Sequence, residues 1–290
     1  MKNLLLSFLF VASSLTFSYS EADVKKLKFT GICENCDFSG IDFMSYFSDF
    51  MTNQELGNSA KTPPGAIQDP FYIDQDPFYV DLSNKVLKGS NFKLANLGNV
   101  SLAGSVLDGA NFEGAFLSGA NLNYASLKEA NFELAILSGA SLHYVKTKNT
   151  NFTKANLSNS EYFEHNPKGN QYSGAQVNAI FRYANLTNIK QERFNLEGLD
   201  LRGADLTGTN LRNANLKNAD FTGAIFRNAD ISGARVSNTN FTGVDLSQTK
   251  MQKVFFEKAK LCETIMPWGK DNSGCEKIEK SSTDKDIPGL

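Results

Sequence analysis

The stretch that decides the fold is ANFEGAFLSGANLNYASLKEANFELA, residues 110–135. A large apolar residue returns at every fifth position of this stretch, and an alanine stands two positions before each one. A period of five matches neither the helical period of about 3.6 residues nor the two-residue alternation of a continuous strand. The chain must therefore turn between units, and the pattern predicts short extended sides joined by tight turns.

The same five-residue phase extends in both directions along the chain. Apolar residues hold it from Leu82 to Leu157, where Thr147 alone breaks the series, and again from Leu196 to Leu261. A longer period of twenty residues is superposed on it, because phenylalanine preceded by asparagine returns at that interval. If twenty residues form one coil with four sides, identical residues stack over one another and the rings form a ladder. The rings concerned are Phe92, Phe112, Phe132 and Phe152.

The repeat also predicts which side chains face the interior. Alternate residues of an extended segment face the same way, so the central Leu or Phe should share the interior with the small residue two positions before it. The polar residue between them should face outward or support the turns. This pattern resembles the pentapeptide-repeat family over most of the chain after Leu82. The resemblance implies an all-β fold, a right-handed quadrilateral β-helix.

The repeat is irregular near both ends of its first block. Phe38 and Phe43 already have the five-residue spacing, so the first coil begins before residue 40, within an N-terminal start or cap at 21–43. Between 158 and 195 the phase falters, so the β-helix predicted over 82–261 has a distorted coil there. The distortion fits a bulged loop in one solenoid, which we favour, or a boundary between two solenoids.

An irregular acidic and aromatic insert at 44–81 fits no five-residue unit. It contains a tandem duplication, QDPFYID at 68–74 followed by QDPFYVD at 75–81. Its aromatic residues are either a partner-binding patch or a cover that folds back on the N-terminal coils, and we favour the cover. Its aspartates lack the spacing of known calcium-binding loops, so we expect no calcium site. The candidate patch consists of Phe71, Tyr72, Phe78 and Tyr79.

The first twenty residues have the form of a secretory signal peptide. Lys2 precedes an apolar run from Leu4 to Phe17, and small residues ahead of a charged segment fit cleavage after Ser20. The run is short for a membrane span, so a retained anchor is the weaker alternative. We therefore expect an exported protein, periplasmic or secreted, with no membrane span in the mature chain.

Export favours disulfide bonds over metal binding for the four cysteines, because compartments outside the cytoplasm are oxidising. They form two local pairs, Cys33 with Cys36 and Cys262 with Cys275, which suggests one bridge at each end among three possible connectivities. Zinc is disfavoured because neither histidine, His143 or His165, stands beside a cysteine.

The cysteine-containing ends also resemble those of some exported family members. The resemblance implies an opening segment around Cys33 and a C-terminal cap loop at 262–276, although Trp268 stands where an acidic residue would be usual. Open solenoid ends expose unpaired strand edges, which such caps would cover. The last segment, 277–290, is charged and aperiodic, and we expect a flexible tail.

No motif of an enzyme, a cofactor site or a metal site stands out. The sequence has no His-Glu-x-x-His, phosphate-binding glycine loop, Gly-x-Ser-x-Gly or dinucleotide-binding glycine set. Most acids of the second block occupy the outward position of the repeat, so they do not indicate a catalytic pair. We expect a non-enzymatic protein without a cofactor.

The leading functional hypothesis is a structural or protein-interaction scaffold outside the cytoplasm, with an unknown protein partner. The family implies an alternative, because some members imitate duplex DNA and bind DNA gyrase. Residues 82–157 carry seven Lys or Arg against four Asp or Glu, and residues 196–261 carry nine against seven. Both blocks are slightly basic, whereas DNA is densely acidic, so charge and export disfavour the alternative. Neither surplus is large enough to predict nucleic-acid binding.

Overall fold

A computed structural model describes residues 19–43, 80–161, 179–189 and 194–275. It contains one α-helix, α1, at Glu21–Thr30, and two short strands, β1 at Thr264–Met266 and β2 at Gly269–Asp271. Isolated parallel bridges and two-residue turns form most of the remaining described chain. The predicted tail and nearly all of the predicted signal peptide and acidic-aromatic insert lie outside these residues.

The parallel bridges join residues that are twenty positions apart. Asn91 is bridged to Asn111, and Asn111 to Asn131. The Phe92 N–H donates to the Asn111 carbonyl at 2.6 Å, while the Asn111 N–H donates to the Ser90 carbonyl at 2.9 Å. Four such bridges occur in every twenty residues of 86–156. The predicted twenty-residue coil is therefore present, and the fold is a β-solenoid.

Each five-residue unit ends in a tight turn. The Ala115 N–H donates to the Phe112 carbonyl at 3.0 Å, which closes the turn through Glu113 and Gly114. Gly114 has a φ of 63°, a left-handed conformation that glycine and asparagine adopt most readily. The recurrence of Gly or Asn at this position of the repeat therefore has a backbone cause.

The interior holds the two residue types that the repeat predicts. Phe112 and Ala110 are fully buried, whereas Asn111 between them is partly exposed. The phenylalanine ladder is confirmed, with ring centroids 4.8, 4.6 and 5.1 Å apart from Phe92 to Phe152. The structure extends it to Phe38 at one end and Phe181 at the other, at 5.0 and 4.9 Å.

Some units carry Ser or Thr instead of Ala at the small interior position. Several of their buried hydroxyls donate to a backbone carbonyl 23 residues earlier, in the preceding coil, and the Ser90 hydroxyl donates to the Cys33 carbonyl, 57 residues earlier. The Ser105 Oγ donates to the Leu82 carbonyl at 2.6 Å, and the Thr150 Oγ1 to the Leu127 carbonyl at 2.7 Å. A buried hydroxyl without a partner is costly, so these bonds explain how the position tolerates polar residues.

The bridges also show where the insert and the irregular segment interrupt the stack of coils. Asp42 is bridged to Asn96, 54 residues later, and Asp81 is bridged to Ser101. The third and fourth sides of the first coil are therefore separated by the insert in the sequence, where a tight turn joins such sides elsewhere. Asn151 is bridged to Ile180 and Ile180 to Asp200, so the stack continues from the first block into the second. The expected distorted coil near 158–195 lies largely outside the described residues.

The helix α1 packs on the first coil, and the all-β prediction omitted it. Val24 and Leu27 are buried in the same apolar core as the coils. Ser20 caps the helix, because its side chain accepts from the Asp23 N–H at 3.2 Å, and left-handed Gly31 ends it. Within the described residues, no helix is long and apolar enough to cross a membrane.

The last coil ends in a hairpin. Strand β1 pairs antiparallel with β2, and Ile265 of β1 is bridged to Asp245 of the coil before it. The Gly274 N–H then donates to the Leu261 carbonyl at 2.8 Å. These bonds occupy backbone groups that an uncovered final coil would expose.

Candidate functional site

A column of side-chain amides covers one face of the first block. The Asn131 Oδ1 accepts from the Asn151 Nδ2 at 3.0 Å and from the Glu133 N–H at 3.1 Å, while its Nδ2 donates to the Asn111 Oδ1 at 3.3 Å. The column's hydrogen-bonding groups are thus largely used within the protein. We call it the amide ladder, and its members are Asp37, Asn91, Asn111, Asn131 and Asn151.

Beside the amide ladder, four large apolar side chains are exposed on neighbouring coils. Leu94 is 48% exposed, Phe116 44%, Leu134 51% and Ile136 39%. Phe116 and Ile136 are bridged directly to each other, and the Leu94 side chain lies over Gly114. We call these four residues the corner patch. A cluster of apolar side chains on a regular backbone is a candidate protein contact.

A second exposed aromatic feature lies at another corner of the same coils. The rings of Tyr124 and Tyr144 stack with centroids 4.9 Å apart, and Tyr124 is 63% exposed. The His143 Nε2 beside them lies 3.4 Å from the Glu161 carboxylate. The sequence predicted the spacing of the two tyrosines, and the structure shows that they point outward.

The second block replaces the amide ladder with charged groups. The Arg202 guanidinium donates to Asp200 at 2.7 and 2.9 Å, and Arg182 also binds that carboxylate. Partial burial would raise the pKa of Asp200, but the hydrogen bonds from Arg202 and Arg182 outweigh it and hold the pKa at about 2. In a different column of bridged residues, the Asp230 carboxylate forms an ion pair with Arg212 at 3.7 Å.

The cysteines lie at the two ends of the described chain. Cys33 is bonded to Cys36 and both are buried, while Cys262 is bonded to Cys275. The Asp23 carboxylate lies within 4.8 Å of both sulfurs of the first pair, but it accepts from the Asp37 N–H at 2.9 Å. With the disulfide formed, Asp23, Cys33 and Cys36 join α1 to the first coil.

The structure does not describe the candidate partner-binding residues of the insert. Phe71, Tyr72, Phe78 and Tyr79 lie outside the described residues. The corner patch was not predicted from the sequence, although a signal for it exists. Leu94 and Leu134 stand at the turn position where Gly or Asn is usual, and Phe116 and Ile136 replace the outward polar residue.

The repeats of this chain match a known family of proteins. A family model described as pentapeptide repeats (8 copies) matches residues 101–139, 135–161, 192–228, 204–243 and 239–268. No curated protein matches the chain.

Solved structures of pentapeptide repeat proteins are also similar to this chain. HetL, involved in heterocyst differentiation regulation in the cyanobacterium Nostoc sp. strain PCC 7120, is 24% identical over 65% of this chain and 86% of its own, with a TM-score of 0.32. QnrB1, a plasmid-mediated fluoroquinolone resistance protein, is 17% identical over 60% and 84%, with a TM-score of 0.46. Rfr23 of the cyanobacterium Cyanothece 51142 is 21% identical over 75% and 96%, with a TM-score of 0.17. The matched repeats and the twenty-residue coils make this chain a member of the pentapeptide-repeat family.

Proposed function

We propose that this protein is a non-enzymatic scaffold that binds a protein partner in the periplasm or the extracellular space. The observation that carries the proposal is the corner patch, four exposed apolar side chains held on a hydrogen-bonded stack. A solenoid presents such side chains in fixed register, which suits it to recognition.

The surroundings of the corner patch support a binding role. Lys93 and Glu113 form an ion pair at 3.0 Å next to Leu94 in sequence, so charged groups border the apolar side chains. Protein interfaces commonly combine an apolar centre with a polar rim. Successive coils lie about 4.8 Å apart, so the patch spans roughly 10 Å along the stack.

Export is the second part of the proposal. The signal-like N-terminus and the two cysteine pairs support it. Cleavage after Ser20, however, would remove the residue that caps α1 and whose N–H donates to the Asp37 carbonyl at 3.0 Å. Mass spectrometry of the mature N-terminus would show whether the chain begins at Glu21, as the sequence predicts.

The shape of the coil belongs to the same proposal. Four bridges and four buried central side chains in every twenty residues support a coil with four flat sides. The right-handed sense of the coil is what the family resemblance implies. Flat sides would hold the amide ladder and the corner patch on adjoining surfaces.

The alternative function is a DNA mimic that binds gyrase. Such a mimic needs a run of unneutralised negative charge that resembles the phosphates of DNA. Asp200 is neutralised by Arg182 and Arg202, and Asp230 by Arg212. These pairs favour the scaffold proposal over the mimic.

Site-specific photocrosslinking tests the proposal. We would place a photoreactive phenylalanine analogue at Phe116 and, as a matched control, at Asn185, which belongs to the same column of bridged residues. We expect a discrete crosslinked species in the exported fraction from position 116 and little from 185. Equal crosslinking from both positions, or a full-length chain confined to the cytoplasm, would contradict the proposal.

A further inference from the structure

The hairpin at the C-terminal end of the solenoid covers only part of the last coil. The two units before it, at 250–259, have no following coil among the described residues. One coil earlier, the Gly233 N–H donates to the Gln252 carbonyl at 2.8 Å. The equivalent N–H of Lys253, and the N–H of Lys258 in the next unit, donate to no described residue. This end of the stack therefore presents free backbone donors.

Unpaired positive charge surrounds these donors. Residues 250–260 carry four lysines against one acid, Glu257, and only Lys250 is bridged to an acidic residue, Asp230. The other three lysines are exposed, and none of them belongs to an ion pair formed within the described residues. They are Lys253, Lys258 and Lys260. Because like charges repel, this end favours an anionic partner over a second copy of itself.

The same end carries the two most exposed large apolar side chains of the described residues. Phe255 of the last coil is 76% exposed, and Trp268, in the turn between β1 and β2, is 70% exposed. The hairpin adds little opposing charge, because Lys270 pairs with Glu263 and only Asp271 remains. Exposed aromatic rings therefore stand beside a net positive charge.

This combination of groups fits the surface of a phospholipid bilayer. Lipid phosphates accept hydrogen bonds from backbone N–H groups at a sheet edge and attract lysines. Tryptophan and other aromatic rings settle at the headgroup level, where one side of the ring meets apolar chains and the other meets water. The free N–H groups would stay among the headgroups, because the hydrocarbon interior offers them no acceptor.

We propose that this end of the solenoid binds the surface of an anionic phospholipid bilayer. We call it the terminal face, and it consists of Lys253, Phe255, Lys258, Lys260 and Trp268. The lysines and the free N–H groups bind lipid phosphates, while the two aromatic rings enter the headgroup region. The stack then stands end-on, with the corner patch of the first block away from the bilayer. The inference does not depend on a partner at the corner patch.

Vesicle binding by the full chain tests the inference. We expect the protein to sediment with vesicles of equal parts phosphatidylglycerol and phosphatidylcholine, and to stay in solution with vesicles of phosphatidylcholine alone. Trp268 is the only tryptophan of the chain, so its fluorescence reports on the terminal face directly. Its emission should shift to shorter wavelength with the anionic vesicles only, and salt should reverse the shift.

A pair of charge variants distinguishes the terminal face from the rest of the surface. A double variant, Lys253→Asn with Lys258→Gln, should weaken vesicle binding by about tenfold or more, because each lysine near an anionic surface strengthens binding about fivefold. Asparagine suits position 253, where the backbone is left-handed. The matched control, Lys128→Gln with Lys148→Gln, removes the same charge from exposed positions of the first block and should leave binding nearly unchanged.

A second pair of variants tests the aromatic contribution. Phe255→Asn should weaken vesicle binding by about fivefold through lost apolar contact. Tyr124→Asn removes an exposed ring far from the terminal face and should leave binding unchanged. Melting temperatures equal to that of the wild type would show that each variant is folded.

Several results would overturn the inference. They are equal binding to neutral and anionic vesicles, unchanged Trp268 emission in the bound protein, and equal losses in the variants and their controls. A shift of the Trp268 emission that follows protein concentration without lipid would assign the face to a second copy. A shift with soluble polyglutamate but not with vesicles would assign it to an acidic protein segment.

Discussion

The two blocks of the solenoid have coils of the same length but stack them with different side chains. In the first block, 80–161, the rings of Phe112 and Phe132 stack within 7° of parallel, and neutral amides form the ladder outside. In the second block, 194–275, Phe221 also stacks on Phe241 within 8° of parallel but at 5.7 Å, it meets Phe226 of its own coil edge-on at 72°, and Asp200 with its arginines replaces an amide. The backbone bridges are the same in both. The repeat therefore fixes the coil, while the residues within each column set how rigid and how charged that part of the stack is.

The largest expected effect comes from placing a charge in the core of the first block. Phe132→Asp would bury an unpaired carboxylate between two stacked rings, which costs several kcal/mol, so we expect loss of cooperative folding. Thermal unfolding followed by circular dichroism checks this. Asn131→Asp, on the outward side of the same unit, is the control and should cost far less. An unchanged melting temperature for Phe132→Asp would refute the inward register.

A milder change sharpens the comparison of the two cores. Phe132→Leu loses parallel stacking on both faces of the ring, whereas Phe221→Leu loses it only toward Phe241, because Leu201 lies on the other face. Because stacked aromatic pairs contribute about 0.5–1.5 kcal/mol beyond burial, we expect Phe132→Leu to cost about 1 kcal/mol more. Chemical denaturation of both variants measures the difference. Equal free energies would mean that the parallel stack adds nothing to burial.

The amide ladder provides the next test. Asn131→Ala removes two side-chain bonds between coils and the acceptor for the Glu133 N–H, so we expect a loss of about 1 kcal/mol. Asn156→Ala removes the acceptor for the Ser158 N–H within its own unit and serves as the comparison. Hydrogen exchange should increase locally around Asn111 and Asn151 in the first variant. Exchange that stays at the wild-type rate there would show that the backbone bridges alone hold the face.

The smallest expected effect is a pH dependence of the stability of the second block. Because the folded-state pKa of Asp200 is about 2 against an ordinary 3.8, its stabilisation is present above pH 4 and is lost as the pH falls from about 4 to 2. The pair is partly exposed and screened, so we expect less than about 1 kcal/mol. Melting temperatures of the wild type and Asp200→Asn should converge below pH 2. A difference that persists there would assign the effect to something other than ionisation.

Periodicity allowed the sequence to predict the parts of the fold that repeat. The buried central residues, the alanines before them and the ring ladder all follow from spacings of five and twenty. The extension of the ladder to Phe181 could not be read in this way, because the bridge from Asn151 to Ile180 spans 29 residues. When the spacing between equivalent residues departs from twenty, the sequence no longer shows which residues stack, even though the coil continues.

Features that occur once were harder to predict. The helix α1 has weak signals, a Ser20 cap and Gly31 at its end, and the assumed cleavage point after Ser20 obscured the first of them. Whether a corner glycine is covered depends on the residue at its position in the preceding coil. Gly203 is covered and Gly223 is open, although both stand at the same position of the repeat. Such differences arise from neighbouring coils and not from the unit itself.

The direction of the backbone hydrogen bonds has a mechanical consequence. The bridges join residues twenty apart, so the bonds lie along the long axis of the stack. A force that pulls the two ends apart along this axis would load only the outermost coil's bonds at any moment, and the coils would peel off in succession. Each coil of twenty residues would release about 70 Å of extended chain. The Cys262–Cys275 bond would withhold the residues it encloses from that extension.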